Sequence, residues 1–559
     1  MKKIAKQILL FYLIIVFLKI LISSFIPTPI AFSDEYIYMK LARSFFFDFN
    51  FSVHGNLVNI YPPLYPVLLS ISYLFNDITV VYFLMKVINA LISSLIIIPS
   101  FLLAKEFLNE KKSLIISILV SIIPSSFSFS SHIMSENLFY PLSFFTIYFI
   151  YKSFSEKKYN YSILIGIFLA LSYLTRTLAV ALLGAFVLSY ITLFIIKKDQ
   201  RKQLINKFLV SIFFFVVLIS PWMIRNFYLY EFNLKLFFGS YSGSVSTIIN
   251  DFNLVNYIIR AFVYLGYIIL ASLIIFPLKF INSIDKKNIN FYILFFSLLI
   301  ATLIILVKHG KVVVFFDWFT GRYVGRYADI LLPMIFIGGF MGAQKIKKLN
   351  KCLIFIFGFL LAIASLLTLH SLFPVNHLSL SWVGVLKYIF EFIFYGKTTY
   401  LVELFAGSLI FFAIFFLFLL VLLLFLEKKF SLNKLIPYLF IFLILMNLLN
   451  FSINYYDSKT NWYNEEQMQL GLWLSEYDSD KISNILFDEE SCGQLTKEEQ
   501  DGICGGKFNE KTIIGYWLND NITIGNLSNL ENYDYIISKR KLDLPLIKET
   551  ENIYVYKIN

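Results

Sequence analysis

The chain has 559 residues, 58% of them hydrophobic and only 15% charged, with a mean hydropathy of +0.73. A soluble domain carries about 25% charged and about 45–50% apolar residues, so a soluble enzyme, a disordered scaffold and a secreted disulfide scaffold are excluded. The net charge of +12 conceals a division, because from Ile453 onward 19 acidic and 10 basic residues give −9, against +21 before that point.

The predicted elements begin with Met1-Lys2-Lys3 and an apolar run from Ile4 to Ile26. The run is too long for a cleaved signal and is followed by no clear cleavage site, so it reads as a retained anchor. A helix needs about 20 apolar residues to cross a bilayer core. By that measure thirteen spans are expected, near 7–25, 80–104, 113–130, 137–151, 162–174, 177–196, 208–224, 256–278, 291–307, 328–344, 352–370, 402–426 and 435–452. Alternate connections, from Lys2/Lys3/Lys6 to Lys428/Lys429/Lys434, hold 24 of the 48 basic residues, and the six opposite connections hold 11. That bias places the N-terminus in the cytoplasm and the C-terminus outside, and it accounts for the positive charge without a nucleic-acid partner. All five histidines and all six tryptophans fall in or beside the outward segments, so chemistry is expected on the outer face of the cell membrane.

Residues 1–452 are thus expected to form a membrane domain and 453–559 a small extracytoplasmic α/β domain. In the latter, Asn461-Trp462-Tyr463 leads an amphipathic helix through Leu470, Leu472 and Leu474. Strand-like runs follow at Ile482–Phe487, Ile522–Ile524, Tyr535–Ile537 and Ile553–Tyr556, a spacing that predicts a partly parallel sheet. Cys492 and Cys504 are able to pair if this tail faces an oxidising compartment.

The first outer loop, about residues 27–78, is the longest connection and holds Ser33-Asp34-Glu35, His54-Gly55 and Tyr61-Pro62-Pro63-Leu64-Tyr65-Pro66. Ile37, Leu41, Ala42, Phe45 and Phe46 recur at helical spacing and predict an interfacial helix. A serine cap followed by acids is ordinary helix-start chemistry, and the residues alone leave that reading and a catalytic acid pair both open. Ser131-His132-Ile133-Met134-Ser135-Glu136-Asn137 brings another carboxylate to the outer face, with helix capping again the plainer reading. Outward cations at Arg176, Arg225, Lys308, Lys311, Arg322 and Arg326 run against the orientation bias. They suit either snorkelling to lipid phosphates or the grip of a phosphate-bearing lipid substrate.

The stretch from Asp34-Glu35 to Tyr61-Pro62-Pro63-Leu64-Tyr65-Pro66 resembles the first outer loop of the GT-C membrane glycosyltransferases, with the protein O-mannosyltransferases and lipid A aminoarabinose transferases as the nearest groups. Pro221-Trp222 to Arg225-Asn226, and Arg326-Tyr327 with Pro333, are similar to further family stretches. The resemblance implies a GT-C-like helical membrane fold. It implies transfer of a sugar, with inversion, from a polyprenyl-phosphate donor to an acceptor hydroxyl on a lipid, glycan or protein. It also implies roles. Asp34 is the base and Glu35 orients or senses the acceptor, Glu136 is a second catalytic carboxylate, and His54, Tyr61 and Tyr65 form the acceptor loop. Arg176, Arg225, Lys308, Arg322 and Arg326 are the candidate phosphate clamp. Phosphate leaves as a stable anion, so no general acid is demanded and a divalent metal is dispensable in principle, though not excluded.

The rival readings are a transporter or lipid flippase and a structural envelope subunit. Transporters carry ionisable groups at mid-membrane depth and often show repeats. Here Lys19, Lys86 and Arg260 are the only basic residues within the spans and no paired halves are visible.

Overall fold

The computed structural model describes residues 2–30, 32–54, 56–58, 61–230, 254–306, 325–344, 432–463, 465–478, 483–492, 510–518, 521–527 and 530–558, with isolated helical positions at 356, 358, 359, 421 and 425. Helix α1 (Lys2–Ser24) is followed by α2 (Phe32–Asp48), a two-residue hairpin of β1 (Ser52–Val53) and β2 (Asn56–Leu57), and the short α3 (Leu64–Ser70). The membrane body continues with α4 (Ile78–Ser94), α5 (Ile97–Lys105), α6 (Glu110–Ser121), α7 (Pro124–Phe127), α8 (Glu136–Ser153), α9 (Asn160–Thr175), α10 (Val180–Ile196) and α11 (Arg201–Tyr230). After a gap in the described residues come α12 (Leu254–Ala271), α13 (Ile275–Ser283), α14 (Ile289–Leu306), α15 (Leu332–Ala343) and α16 (Leu432–Tyr456).

Among the described residues seven helices are long and apolar enough to cross a membrane, or nine if each of two bent pairs counts as one span. The chain is an integral membrane protein. Most of the spans expected at 352–370 and 402–426 lies outside the described residues. The helix expected in the first loop is α2. It is packed in, with Tyr36, Tyr38, Met39, Leu41 and Ala42 all buried.

Helix starts follow local chemistry. The Asp77 carboxylate accepts from the Thr79 N–H at 2.8 Å and caps α4, and Asn109 caps α6 by accepting from Lys112 N–H at 3.0 Å. The break between α12 and α13 turns the chain by 105°, with Leu273 and Ile274 at φ of 60° and 53°. Two apolar non-glycine residues in that region are held there by their packing, since both are buried. Helix α15 then lies against α13 at very close range. A Cβ on Gly342 would overlap the Lys279 carbonyl oxygen, and one on Gly338 would overlap the Phe280 ring. Small residues at four-residue spacing let membrane helices approach this closely.

Two cations inside the body bind helices together. Lys19 donates to Ser93 Oγ at 2.8 Å, and Lys86 donates to the carbonyls of Ser23 and Ile26 at 2.9 and 2.7 Å. Buried ammonium groups are tolerated only when partnered, and here each ties α1 to α4.

The tail contains α17 (Glu466–Tyr477), α18 (Glu510–Gly515) and a five-stranded sheet ordered β4-β3-β5-β7-β6. The strands are β3 (Asn484–Asp488), β4 (Asn521–Gly525), β5 (Tyr535–Ser538), β6 (Leu546–Glu549) and β7 (Tyr554–Lys557). β3 pairs parallel with β4 and β5, whereas β7 runs antiparallel to both β5 and β6. The expected sheet is therefore present, with the unanticipated β6 at its edge. Its residues Leu546–Glu549 are only partly buried and carry little apolar signal. Cys504 lies outside the described residues, as does the side chain of Cys492.

The tail docks on the first loop through a shared apolar cluster in which Met468, Tyr516 and Trp517 meet Tyr36, Tyr65, Tyr73 and Tyr82. The Tyr82 and Trp517 rings meet edge-on at 5.5 Å.

Candidate active site

Asp34 and Glu35 occupy the first turn of α2, where the exposed N–H dipoles favour negative charge. Adjacent residues on a helix point about 100° apart, and the two carboxylates part company. Glu35 is fully buried, and its oxygens accept from the N–H groups of Ile30 at 3.0 Å and Ile133 at 2.9 Å. It pins the Ile133–Ser135 connection, which leads into α8, against the start of α2. Both Glu35 oxygens are thus turned into the protein.

Asp34 remains partly open, with its side chain 23% exposed. Its Oδ1 accepts from the Tyr61 hydroxyl at 2.5 Å, and its Oδ2 lies 3.2 Å from Arg326 Nη2. The same guanidinium reaches Glu136, Nε to Oε1 at 3.2 Å, and Arg176 Nη1 lies 2.6 Å from Glu136 Oε2. A chain of alternating charge results, running Asp34–Arg326–Glu136–Arg176. All but Asp34 are nearly sealed, at 2–7% side-chain exposure. The ring of Tyr327 sits beneath both arginines, at 4.9 Å from Arg176 and 5.4 Å from Arg326.

Burial pushes the Asp34 carboxyl upward, but the Arg326 charge, the Tyr61 hydrogen bond and Arg176 together outweigh it, so the net pKa lies below the ordinary aspartate value. Asp34 is ionised at neutral pH. Burial also lowers the pKa of His132 to about 4, which keeps its ring neutral. That ring contacts Ser128 O at 3.2 Å, and the His132 carbonyl accepts from Asn89 and Asn137.

The remaining expected residues divide. Tyr61 touches Asp34 directly. Tyr65 instead donates to Asn89 Oδ1 at 2.8 Å and so steadies the His132–Glu136 connection from below. His54, at φ 51°, hydrogen-bonds Tyr36 through Nε2 and accepts from the Ile522 N–H at 3.2 Å through Nδ1, so it joins the first loop to the tail. Arg225 donates through Nη2 to the carbonyls of Phe51 and Val58, both at 3.2 Å, and holds the hairpin. Lys308 and Arg322 lie outside the described residues.

Two contributors went unrecognised in the sequence reading. Tyr38 stacks on Tyr61 with ring centres 4.6 Å apart and donates to Ser135 Oγ at 2.8 Å, and that oxygen also accepts from Arg176 at 3.0 Å. Tyr38 was findable, because it lies four residues after Asp34 and so on the same helical face. Ser135 carried no such signal.

A sequence profile described as dolichyl-phosphate-mannose-protein mannosyltransferase matches residues 61–224, a range that holds Tyr61, Glu136 and Arg176 but neither Asp34 nor Arg326. No curated protein matches the sequence. In three dimensions the chain is similar to ArnT from Cupriavidus metallidurans bound to undecaprenyl phosphate, with a TM-score of 0.58 at 11% identity, covering 99% of this chain and 97% of that one. The apo form of the same protein gives a TM-score of 0.55 at 11% identity, covering 99% and 98%. The chain thus shares the fold of ArnT over nearly its whole length, and its α3-to-α11 region matches the mannosyltransferase profile.

Proposed function

We propose that this protein transfers a sugar from a polyprenyl-phosphate donor to an acceptor hydroxyl at the outer face of the plasma membrane, with inversion at the anomeric carbon. The observation that carries the reading is the half-open Asp34 carboxylate, held by Tyr61 and by a guanidinium shared with Glu136. The fold is that of ArnT, a protein described with undecaprenyl phosphate bound, and the profile match is to a family described by a dolichyl-phosphate sugar. Both support a donor of this class.

In the reaction the acceptor oxygen bonds to the anomeric carbon, the bond from that carbon to the phosphate oxygen breaks, and the phosphate departs as an anion. Asp34 takes the acceptor proton. Arg326 and Arg176 stabilise the departing charge, which a guanidinium fork matches well. Arg326 has a further consequence as the shared partner. A phosphate that draws it away from Asp34 removes the main influence lowering that carboxyl and leaves it a stronger base as the donor binds. Glu136 holds both arginines in place and takes no proton. The acceptor is a lipid, glycan or protein. Mass spectrometry of surface glycans and glycolipids after deletion of the chain is expected to show loss of one defined sugar. An unchanged profile would count against the reading.

The cation bias supports a cytoplasmic N-terminus, with the first loop and the domain at 453–559 outside. Impermeant thiol reagents are expected to label cysteines placed at Asn56 and Asn532 but not at Lys157. Labelling at Lys157 from outside would invert the topology. A transporter is the less favoured reading, since Lys19 and Lys86 are spent on helix–helix bonds.

A further inference from the structure

A second basic site lies farther along α2. Lys40 and Arg43 follow Asp34 by roughly 9 and 14 Å at about 1.5 Å per helical residue. They line a cavity of about 250 Å3 between α2, the β1–β2 hairpin and β4, together with Ser44, Ser52, His54 and Asn521, while the exposed Asp48 stands at its edge. The walls are bonded to one another. Ser44 Oγ contacts Ser52 Oγ at 2.8 Å and accepts from Ser52 N–H at 3.0 Å, and Lys40 donates to the Leu518 carbonyl.

Arg43 differs from its surroundings. It is only 7% exposed, its Nε has no hydrogen-bond partner, and among the described residues no carboxylate pairs with it. Its contact is the face of Phe47, 5.3 Å from the guanidinium carbon. A buried guanidinium Nε without an acceptor is costly, and an anion in the cavity would supply one. The residues next to the lining in sequence, here called the rim, provide an independent observation. Phe47, Phe49 and Leu57 are 43%, 82% and 53% exposed. Phe49 ends α2 with φ at 50°, a conformation that is rare for a bulky residue and that marks functional sites when it persists. Exposed aromatics beside cations are the pattern of a membrane headgroup boundary.

We propose that this cavity binds a phosphate group, with Arg43 as its main ligand and Lys40 adding charge. The rim favours a phosphate presented by a membrane lipid, and free phosphate is the other source. Because Asn521 belongs to the tail, the bound anion would also brace the tail against the first loop. The inference is one of binding and stands apart from the transferase reading.

Equilibrium binding to the full chain in neutral detergent tests it, with short-chain phosphatidylglycerol and inorganic phosphate as separate probes. Saturable binding of the lipid alone assigns a lipid source. Binding of phosphate, with or without the lipid, assigns the headgroup chemistry itself. Arg43→Gln is expected to weaken binding at least about tenfold, the loss of one charge-assisted hydrogen bond, while Arg43→Lys keeps part of it. Asn521→Asp, which sets a carboxylate in the opposite wall, is expected to weaken it as well and decides the matter if Arg43→Gln does not fold. The proposal is overturned if neither probe binds saturably, if a folded Arg43→Gln binds as the native chain does, or, where that variant does not fold, if Asn521→Asp does.

Discussion

Asp34→Asn is expected to lower sugar transfer by about 10²–10⁴-fold, the usual worth of a positioned proton acceptor, with little change in the amount of folded protein. The amide keeps the size of the carboxylate and can still accept from Tyr61, and Arg326 retains Glu136. The loss of charge in the first turn of α2 costs only about 0.3–1 kcal/mol. Turnover with a donor of the proposed class, measured beside the yield of monodisperse protein, separates the two effects. Near-normal transfer in a well-folded Asp34→Asn protein would make this carboxylate a helix-start group. The pH dependence gives a second readout. Because the Asp34 pKa is held below its ordinary value, the ionised form persists through neutrality, and the acid limb of kcat/KM should fall below the usual carboxylate range. Arg326→Gln removes the leading influence that lowers it, so in that variant the limb should move to higher pH.

Glu136→Gln is expected to damage the fold rather than the chemistry alone. Its carboxylate is 2% exposed and is the common partner of two buried guanidiniums, at 2.6 and 3.2 Å. Neutralising it removes the counter-charge that Arg176 and Arg326 share, and removing one partner of a buried pair costs about 3–5 kcal/mol. The sign follows from desolvation, because cations that have lost their counter-charge are better solvated in the unfolded chain. A marked drop in the thermal midpoint of the detergent-purified variant is therefore expected, along with weaker donor binding. A Glu136→Gln protein as stable as the native one but inactive would show that this carboxylate takes part in proton transfer itself.

The sequence by itself determined everything that depends on composition and short-range pattern. Apolar runs long enough to cross a bilayer, the spacing of Ile37, Leu41 and Ala42, the acidic tail and the strands at β3, β4, β5 and β7 are local properties of the chain. The Asp34-to-Pro66 stretch, by resemblance, also pointed to the fold that the chain shares with ArnT. Only the tertiary structure decided that the tail covers α2, since Tyr516 and Trp517 come from nearly 480 residues away. The same holds for the site. Asp34, Glu136, Arg176 and Arg326 read in sequence as separate helix caps and snorkelling cations, and only the fold links them into a chain with 2.6–3.2 Å between successive members. Likewise Arg225, no different from Arg326 as a sequence signal, is directed onto the hairpin carbonyls, and Glu35 onto two backbone N–H groups. A residue type states which charge is available. Which partner meets that charge depends on contacts that close loops of hundreds of residues, and those form only when the burial of the surrounding apolar surface outweighs the entropy of closing them.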